Sequence, residues 1–413
     1  MTTAMTTSEF LSAIGFIADG SNSEEIAAAF DAEIRAAVEG RTSSLRMLPA
    51  ELSADIRLVA HRAAVIDAGG TNLRVAEVEI DAKGADPVFR NVRKSFMPGT
   101  RGRLTAAEFH QAIGREVETV FAAGGIDRLG YCFSYECRSL PDGDAELLAW
   151  SKQVDAPEVV GQRVGEELVK CLSKPPRSVK VLNDTVATLL AGCARIGSDQ
   201  ASGYLGFILG TGTNVACSEA GMLRNAESGE FNRLARSAAD LALDRMTSDP
   251  GCAVFEKMVA GAYLGNLGLC LLREAATQGL FGEGTRGRLA AVSSLETRDL
   301  DDFASGQMPE AFAGLFPAGE LATARELALA VFRRAANLTA AHLAAFLRRT
   351  ASADAASPVV ITVDGSTFWK TRAVDFRGLV EERLAAMEGV PPHRIVRVDE
   401  APMVGAAVAA CMA

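Results

Sequence analysis

Asp67-Ala68-Gly69-Gly70-Thr71-Asn72 and Leu209-Gly210-Thr211-Gly212-Thr213-Asn214 decide the reading of this chain. Each follows an apolar, β-prone run, Ala63 to Ile66 in the first case and Tyr204 to Leu209 in the second. Each leads into another, Leu73 to Ile80 and Val215 to Glu219. Two strands joined through Gly, Thr and Asn make a hairpin whose tip exposes backbone N–H groups. Glycine lets the main chain approach an anion closely, and threonine adds a hydroxyl donor. Such a tip suits a phosphate. Two copies predict a duplicated domain with a phosphate chain held between them.

Around the hairpins, strands alternate with helices. The spacing predicts two amphipathic helices over 8–41, with Ser8 and Ser23 as N-caps, and helices over 104–123, 186–196, 252–278, 322–351, 370–388 and 402–412. Strands are expected at 129–134, 178–182 and 359–363, with a last short one around Val396. Met97 to Arg103 is a Pro/Gly-rich loop and a candidate mobile segment. The alternation indicates α/β architecture. Asn183-Asp184-Thr185 falls between a strand and a helix. A strand fixes such a triplet rigidly and the helix N-terminus faces it. Taken alone, Asp184 reads equally well as a helix N-cap and as a catalytic carboxylate.

Composition narrows the classes. The 413 residues are 48% hydrophobic and carry a net charge of −10. That length suits two to three domains. Acidic and basic residues are interspersed with no basic stripe, which argues against nucleic acid or an anionic membrane as partner. The longest uncharged apolar run, Met258 to Leu272, contains Asn266, is short for a membrane span and reads as a buried helix. No signal-peptide pattern opens the chain, so cytoplasmic residence is the default. The eight cysteines are scattered without metal or disulfide spacing and read as reduced thiols. The four histidines read as structural.

In order, these segments resemble the hexokinase family of sugar kinases, eukaryotic-type branch, over nearly the whole chain. Ser43 to Pro49 is similar to the segment before the first domain, and Asp67 to Val75 to the first phosphate motif. Gly99 to Gly102 resembles the lid loop, Phe133-Ser134-Tyr135 the start of the sugar segment and Trp150-Ser151-Lys152 its Trp-Thr-Lys part. Asn183 to Thr188 resembles the catalytic segment and Gly210 to Asn214 the second phosphate motif. Asn225 to Phe231 and Asp249 to Met258 resemble two glutamate segments, and Asp364-Gly365-Ser366 the adenosine motif. Each motif is weak alone; their shared order is specific.

The resemblance implies two ribonuclease-H-like domains of the actin-like ATPase type with a cleft between them. It places 62–182 plus 398–413 in a small domain and 1–61 plus 183–397 in a large one. It implies transfer of a phosphoryl group from Mg-ATP to the 6-hydroxyl of a hexose, glucose first, as in glycolysis. A sugar hydroxyl is a poor nucleophile and needs a carboxylate to take its proton. Asp184 matches that base, and Lys152 a cation near the transferred group. Ser134, Tyr135, Ser151, Asn183, Glu227 and Glu256 match the sugar-binding positions. Asp67, Gly69, Gly70, Thr71, Asn72, Arg74, Gly210, Thr211, Gly212, Asn214, Gly365 and Ser366 match the nucleotide-binding ones. Asp67 would hold Mg²⁺ through water, since hard divalent ions take oxygen ligands. The protein is then expected to work as a monomer or homodimer, and to close its cleft on the sugar.

Several positions depart from the family pattern. Tyr135 replaces Phe, Glu136 replaces Pro, Ser151 replaces Thr and Gln153 replaces Gly. Ser228 replaces Trp and Glu230 replaces Ala. They surround the sugar segments and keep open a kinase for another hexose or hexosamine. A silent sugar sensor on the same fold would lack the base or the lysine, and both are present. An assembly ATPase would have no use for the polyol-binding set. Glu136 is expected to face water, and Trp150 to pack rather than stack on sugar.

Overall fold

One strand order is built twice. The structure is a computed structural model that describes residues 5–53, 55–81, 87–121, 124–150, 154–197, 200–219, 221–351 and 357–412. Strand β1 (Leu48–Pro49) precedes a first unit made of β2 (Arg62–Ala68), β3 (Asn72–Glu79), β4 (Val88–Phe96), β5 (Arg128–Phe133) and, beyond a ribbon of β6 (Glu136–Ser139) and β7 (Ala145–Ala149), β8 (Ser178–Leu182). The second unit is β9 (Gly203–Leu209), β10 (Thr213–Glu219), β11 (Met222–Asn225), β12 (Val359–Asp364) and β13 (His393–Val396). The sheets run β4-β3-β2-β5-β8 and β1-β11-β10-β9-β12-β13. In both, three strands meander antiparallel from the phosphate hairpin, and two more join parallel on its other side. Parallel pairing needs long crossovers. They contain α3 (Ala106–Phe121) before β5 and α4 (Val164–Lys170) before β8. This is the duplication expected from the hairpins, in the ribonuclease-H-like form that the resemblance implies.

Two helices join the sheets. Helix α5 (Asp184–Ile196) packs on β9, β10 and β12; the C-terminal helix packs on β2, β5 and β8; and the two pack on each other. Every residue from Ala401 to Cys411 in that last helix is buried, as is Thr185 to Ala194 in α5. A helix apolar all round belongs between layers. Small residues permit the approach: a methyl added at Gly405 would stand 1.8 Å from the Ala187 carbonyl oxygen.

The helical layer around the second sheet corrects several expectations. Helices α1 (Thr7–Ala13) and α2 (Ser23–Val38) form, but their N-caps are Thr6 and Asn22, not Ser8 and Ser23. Thr6 and Glu9 make a capping box, which sets that start earlier. After α6 (Ala238–Met246), the stretch 252–278 is not one helix. It divides into α7 (Glu256–Val259) and α8 (Leu264–Thr277), because Gly261 and Ala262 turn their N–H groups to the carbonyls of Gly210 and Thr211. Helices α9 (Glu283–Ala291), α10 (Thr297–Ala304) and α11 (Leu321–Thr350) follow. The helix expected over 370–388 begins only at α13 (Phe376–Ala386); α12 (Ser366–Lys370) ends where it was to start, and between them Asp301 accepts the N–H groups of Arg372 and Ala373. Helix α14 is Ala401–Cys411. Strand β4 had no distinct sequence signal, being an edge strand with mostly exposed, charged residues.

In the larger core, His342 is fully buried among Phe30, Phe207, Phe255 and Phe346, with ring centroids 4.8, 5.7, 5.1 and 5.3 Å away. Neither ring nitrogen has a hydrogen-bond partner among the described residues. Burial pushes its pKa down to about 3. The folded state therefore refuses a proton that the unfolded chain accepts near pH 6.5. Stability from this residue is present above pH 6.5 and falls as the pH drops toward 3. Between pH 6 and 4.5 the loss is roughly 2 kcal/mol. His342→Met should flatten the acid limb of a urea-unfolding series by that amount. An unchanged difference between pH 6 and 4.5 would show that His342 is protonated in the fold.

Candidate active site

The two hairpin tips are braced alike, through their carbonyl oxygens. In the first, Gly69 N–H donates to the Asn72 carbonyl at 3.0 Å, Met97 N–H to Thr71 at 3.0 Å and Ser134 N–H to Ala68 at 3.1 Å. The Tyr135 hydroxyl donates to the Gly69 carbonyl at 2.8 Å. In the second, Gly210 N–H donates to Gly212 at 3.0 Å, Gly261 N–H to Gly210 at 2.7 Å and Ala262 N–H to Thr211 at 3.0 Å. The Thr367 hydroxyl adds a bond to Gly210 at 2.9 Å. Tying the carbonyls behind a glycine turn is what an anion-receptive tip requires. Thr71 and Thr211 are exposed at the tips. Gly365 lies against the second tip: a methyl on Gly210 would stand 3.3 Å from its Cα. Ser366 opens α12 beside it.

Asp184 is the first residue of α5, directly after β8. Asn183, not Asp184, is the N-cap: its side chain accepts the Thr185 N–H at 2.9 Å. Asp184 Oδ1 accepts the same N–H at 2.9 Å from within the first turn of the helix. The charge of Asp184 reaches Asp364, as does that of Asp67. Burial raises the Asp364 carboxyl, and the charges of Asp184, Asp67 and Glu400 push it further the same way. Burial likewise raises the Tyr135 hydroxyl, with Asp184 and Asp67 adding to it. The carboxylates of the catalytic segment, the first hairpin and the adenosine motif thus lie within electrostatic reach. Asp364 belongs to a quoted motif, yet it received no role from sequence because its neighbours come from other elements.

On the sugar side, a buried polar chain links the predicted residues. The Thr185 hydroxyl lies 2.5 Å from Asn183 Oδ1 and 3.2 Å from Asn225 Oδ1. Asn225 Nδ2 donates to Glu227 Oε1 at 2.7 Å. Glu227 sits in left-handed backbone with φ 51°, a strained state that side-chain bonding maintains. Glu256 Oε2 accepts the Thr213 N–H at 2.9 Å. The Glu256 carboxylate lies close against Gly212, where a methyl would meet Oε2 at 2.5 Å and push that side chain aside. The Glu230 carboxylate accepts the Ala253 N–H at 3.0 Å and fastens the two glutamate segments together. Thr185 and Asn225 hold this chain together, though neither had a role of its own from sequence.

Some predicted residues are turned elsewhere. Asn214 is not at the nucleotide tip: its side chain bonds Asn225 at 2.8 Å, Thr185 at 3.3 Å and the Ser228 N–H at 3.0 Å, so it braces the sugar side. The Tyr135 hydroxyl serves the first hairpin. Arg74 faces Asp67 across the β2–β3 ladder and donates to it at 2.6 and 2.9 Å. It also pairs with Glu400. Trp150 packs on Phe109, Phe133 and Tyr135 and donates to the Ala156 carbonyl, as the packing reading holds. Glu136 does not simply face water but pairs with Arg46 at 3.1 Å. Ser151, Lys152 and Gln153 lie outside the described residues. Pro49, Phe133, Cys137, Leu182, Asn183 and Asn225 line a narrow cavity beside the sugar-side chain.

Among the described residues, no group of three or more His, Cys, Asp or Glu side chains is placed to hold a metal ion. A divalent ion at Asp67 would take its other ligands from phosphate and water, which suits Mg²⁺. The negative charge that Asp184, Asp67 and Glu400 bring toward Asp364 suits a cation nearby.

Hexokinase family models match residues 13–194 and 204–412. A tobacco hexokinase-1 (Nicotiana tabacum) is 32% identical over 265 residues, covering 57% of this chain and 52% of its own. A Schistosoma mansoni hexokinase is 32% identical over 263 residues, covering 57% of each chain. The chain thus spans about half the length of the curated relatives it matches. The structure of a Schistosoma mansoni hexokinase complexed with glucose superposes with a TM-score of 0.79 at 25% identity, covering 98% of this chain and 100% of that one. With two family models spanning nearly its whole length and that doubled fold, the chain belongs to the hexokinase family.

Proposed function

We propose that this protein transfers the γ-phosphoryl group of ATP to the 6-hydroxyl of a hexose, glucose first. What supports this is Asp184 at the start of α5, its charge felt both at Tyr135, which braces the first tip, and at Asp364, next to the Gly365 that lies against the second. Asn183, Ser134, Glu227 and Glu256 hold the sugar hydroxyls, with Ser151 beside them. Asp184 takes the proton of the 6-hydroxyl as its oxygen bonds to the γ-phosphorus. The bond to the bridging oxygen breaks and ADP leaves. The two tips position the triphosphate, and Lys152 stabilises charge on the group in flight. Asp67 would hold Mg²⁺ through water, and the ion would neutralise phosphate charge.

The units 62–182 plus 398–413 and 1–61 plus 183–397 are taken as the two domains. A sugar bonded from both sides favours their closed arrangement and excludes water as a competing acceptor. Cytoplasmic residence as a monomer or homodimer goes with this reading. Glu136, Ser228 and Glu230 give a second reading, a kinase for another hexose or hexosamine. A coupled ADP-release assay with Mg-ATP and a panel of glucose, fructose, mannose and N-acetylglucosamine decides between them. Turnover that requires sugar and ranks glucose first is expected. A different leading sugar selects the second reading, and sugar-independent ATP turnover overturns both.

A further inference from the structure

We propose that Glu400 is a positioning residue that occupies Arg74 as an internal anion, which an arriving nucleotide phosphate must displace. This rests on the reading that the first hairpin takes phosphate. The Arg74 guanidinium is shared by two carboxylates that differ in accessibility. The Asp67 side chain is 12% exposed and holds the guanidinium from the neighbouring strand. The Glu400 side chain is 49% exposed and reaches it from the connection between β13 and α14. Burial alone would lower the Arg74 pKa, but Asp67 and then Glu400 outweigh it and keep the group charged. The more exposed partner is the cheaper to exchange, because its carboxylate returns to water rather than remaining buried without a cation.

The backbone supports the same view. Glu400 sits at φ 55°, ψ 34°, the left-handed region that a non-glycine residue occupies at a cost. Such strain persists where surrounding contacts determine it. The Arg74 pair is the side-chain contact seen at this position, and the Glu400 carbonyl accepts the Val404 N–H at 3.0 Å to start α14. The same carboxylate adds negative charge near Asp364. A phosphate oxygen on Arg74 Nη1 would replace one anionic acceptor by another, while Nε and Nη2 stay on Asp67.

Isothermal titration of MgADP against the 413-residue chain tests this, with Glu400→Gln, Glu400→Gly, Arg74→Gln and the double variant Arg74→Gln/Glu400→Gln. Glu400→Gln should bind about 2- to 5-fold tighter, the worth of a half-exposed ion pair. Glu400→Gly, which fits the left-handed backbone, should gain at least as much. Arg74→Gln should bind more weakly, and adding Glu400→Gln to it should give no further gain. Glu400→Gln binding like wild type or more weakly overturns the proposal, as does a gain confined to Glu400→Gly. A gain that persists without Arg74 also overturns it, because general charge repulsion then accounts for the effect. Wild-type protein that binds no nucleotide removes the functional reading itself, and this proposal with it.

Discussion

Asp184→Asn should lower sugar-dependent ADP release by about 10²- to 10⁴-fold while leaving sugar binding within a few-fold of wild type. The substitution keeps size and hydrogen-bonding shape, so the start of α5 stays intact. Asn183 remains the cap, and the side-chain oxygen at 184 still accepts the Thr185 N–H, which now lies at 2.9 Å. What disappears is the ability to take a proton from a hydroxyl. The loss should therefore fall on kcat, because the base acts only as the oxygen becomes a nucleophile. Steady-state kinetics with the sugar ranked first in the panel, beside a sugar-binding titration and a thermal melt, separate these effects. A variant that melts like wild type, binds sugar and retains full turnover would remove Asp184 from the chemistry.

The second large effect concerns stability. Arg334→Met should destabilise the protein by about 3–5 kcal/mol. Arg334 in α11 holds Asp240 in α6 through two bonds of 2.7 and 2.8 Å, and both side chains are 4% exposed. Asp240 is also the third residue of a capping box with Ser237, accepting its N–H and hydroxyl at 2.7 Å. The guanidinium lies 4.3 Å from the Phe16 ring centroid. Removing the cation leaves a buried carboxylate with neutral donors alone. Methionine replaces the apolar stem but not the charge. Adding Asp240→Asn should recover part of the loss, since the residual cost is mostly the unpaired charge. Urea unfolding of the two variants checks this; a double variant no more stable than Arg334→Met would assign the loss to packing.

Most of the strand layout was legible in the sequence because its signals are local. Glycine-threonine turns between β-prone runs specify a hairpin without help from the rest of the chain, and β2–β3 and β9–β10 lie where they were expected. The run Ser178 to Leu182 followed by Asn183-Asp184 carries its own strand, cap and helix start. The misplaced helix boundaries have distant causes. Residues 252–278 read as one helical stretch, yet the helix is interrupted at Gly261, a weak helix former, where Gly261 and Ala262 serve the hairpin at Gly210 and Thr211. A tertiary hydrogen bond outweighs a propensity of a few tenths of a kcal/mol per residue.

The family, the duplicated fold and the position of Asp184 in its strand–helix junction follow from residue order, because turns, caps and apolar periodicity act over a few residues. The directions of individual side chains do not. Tyr135 and Gly69 meet across two strands, Glu136 finds Arg46, Asn214 turns toward Asn225, and Arg74 is shared with Glu400 from the far end of the chain. A buried polar group must find a partner wherever the fold supplies one. That partner is set by how two sheets and two helices pack, and packing exists only once the whole chain is folded.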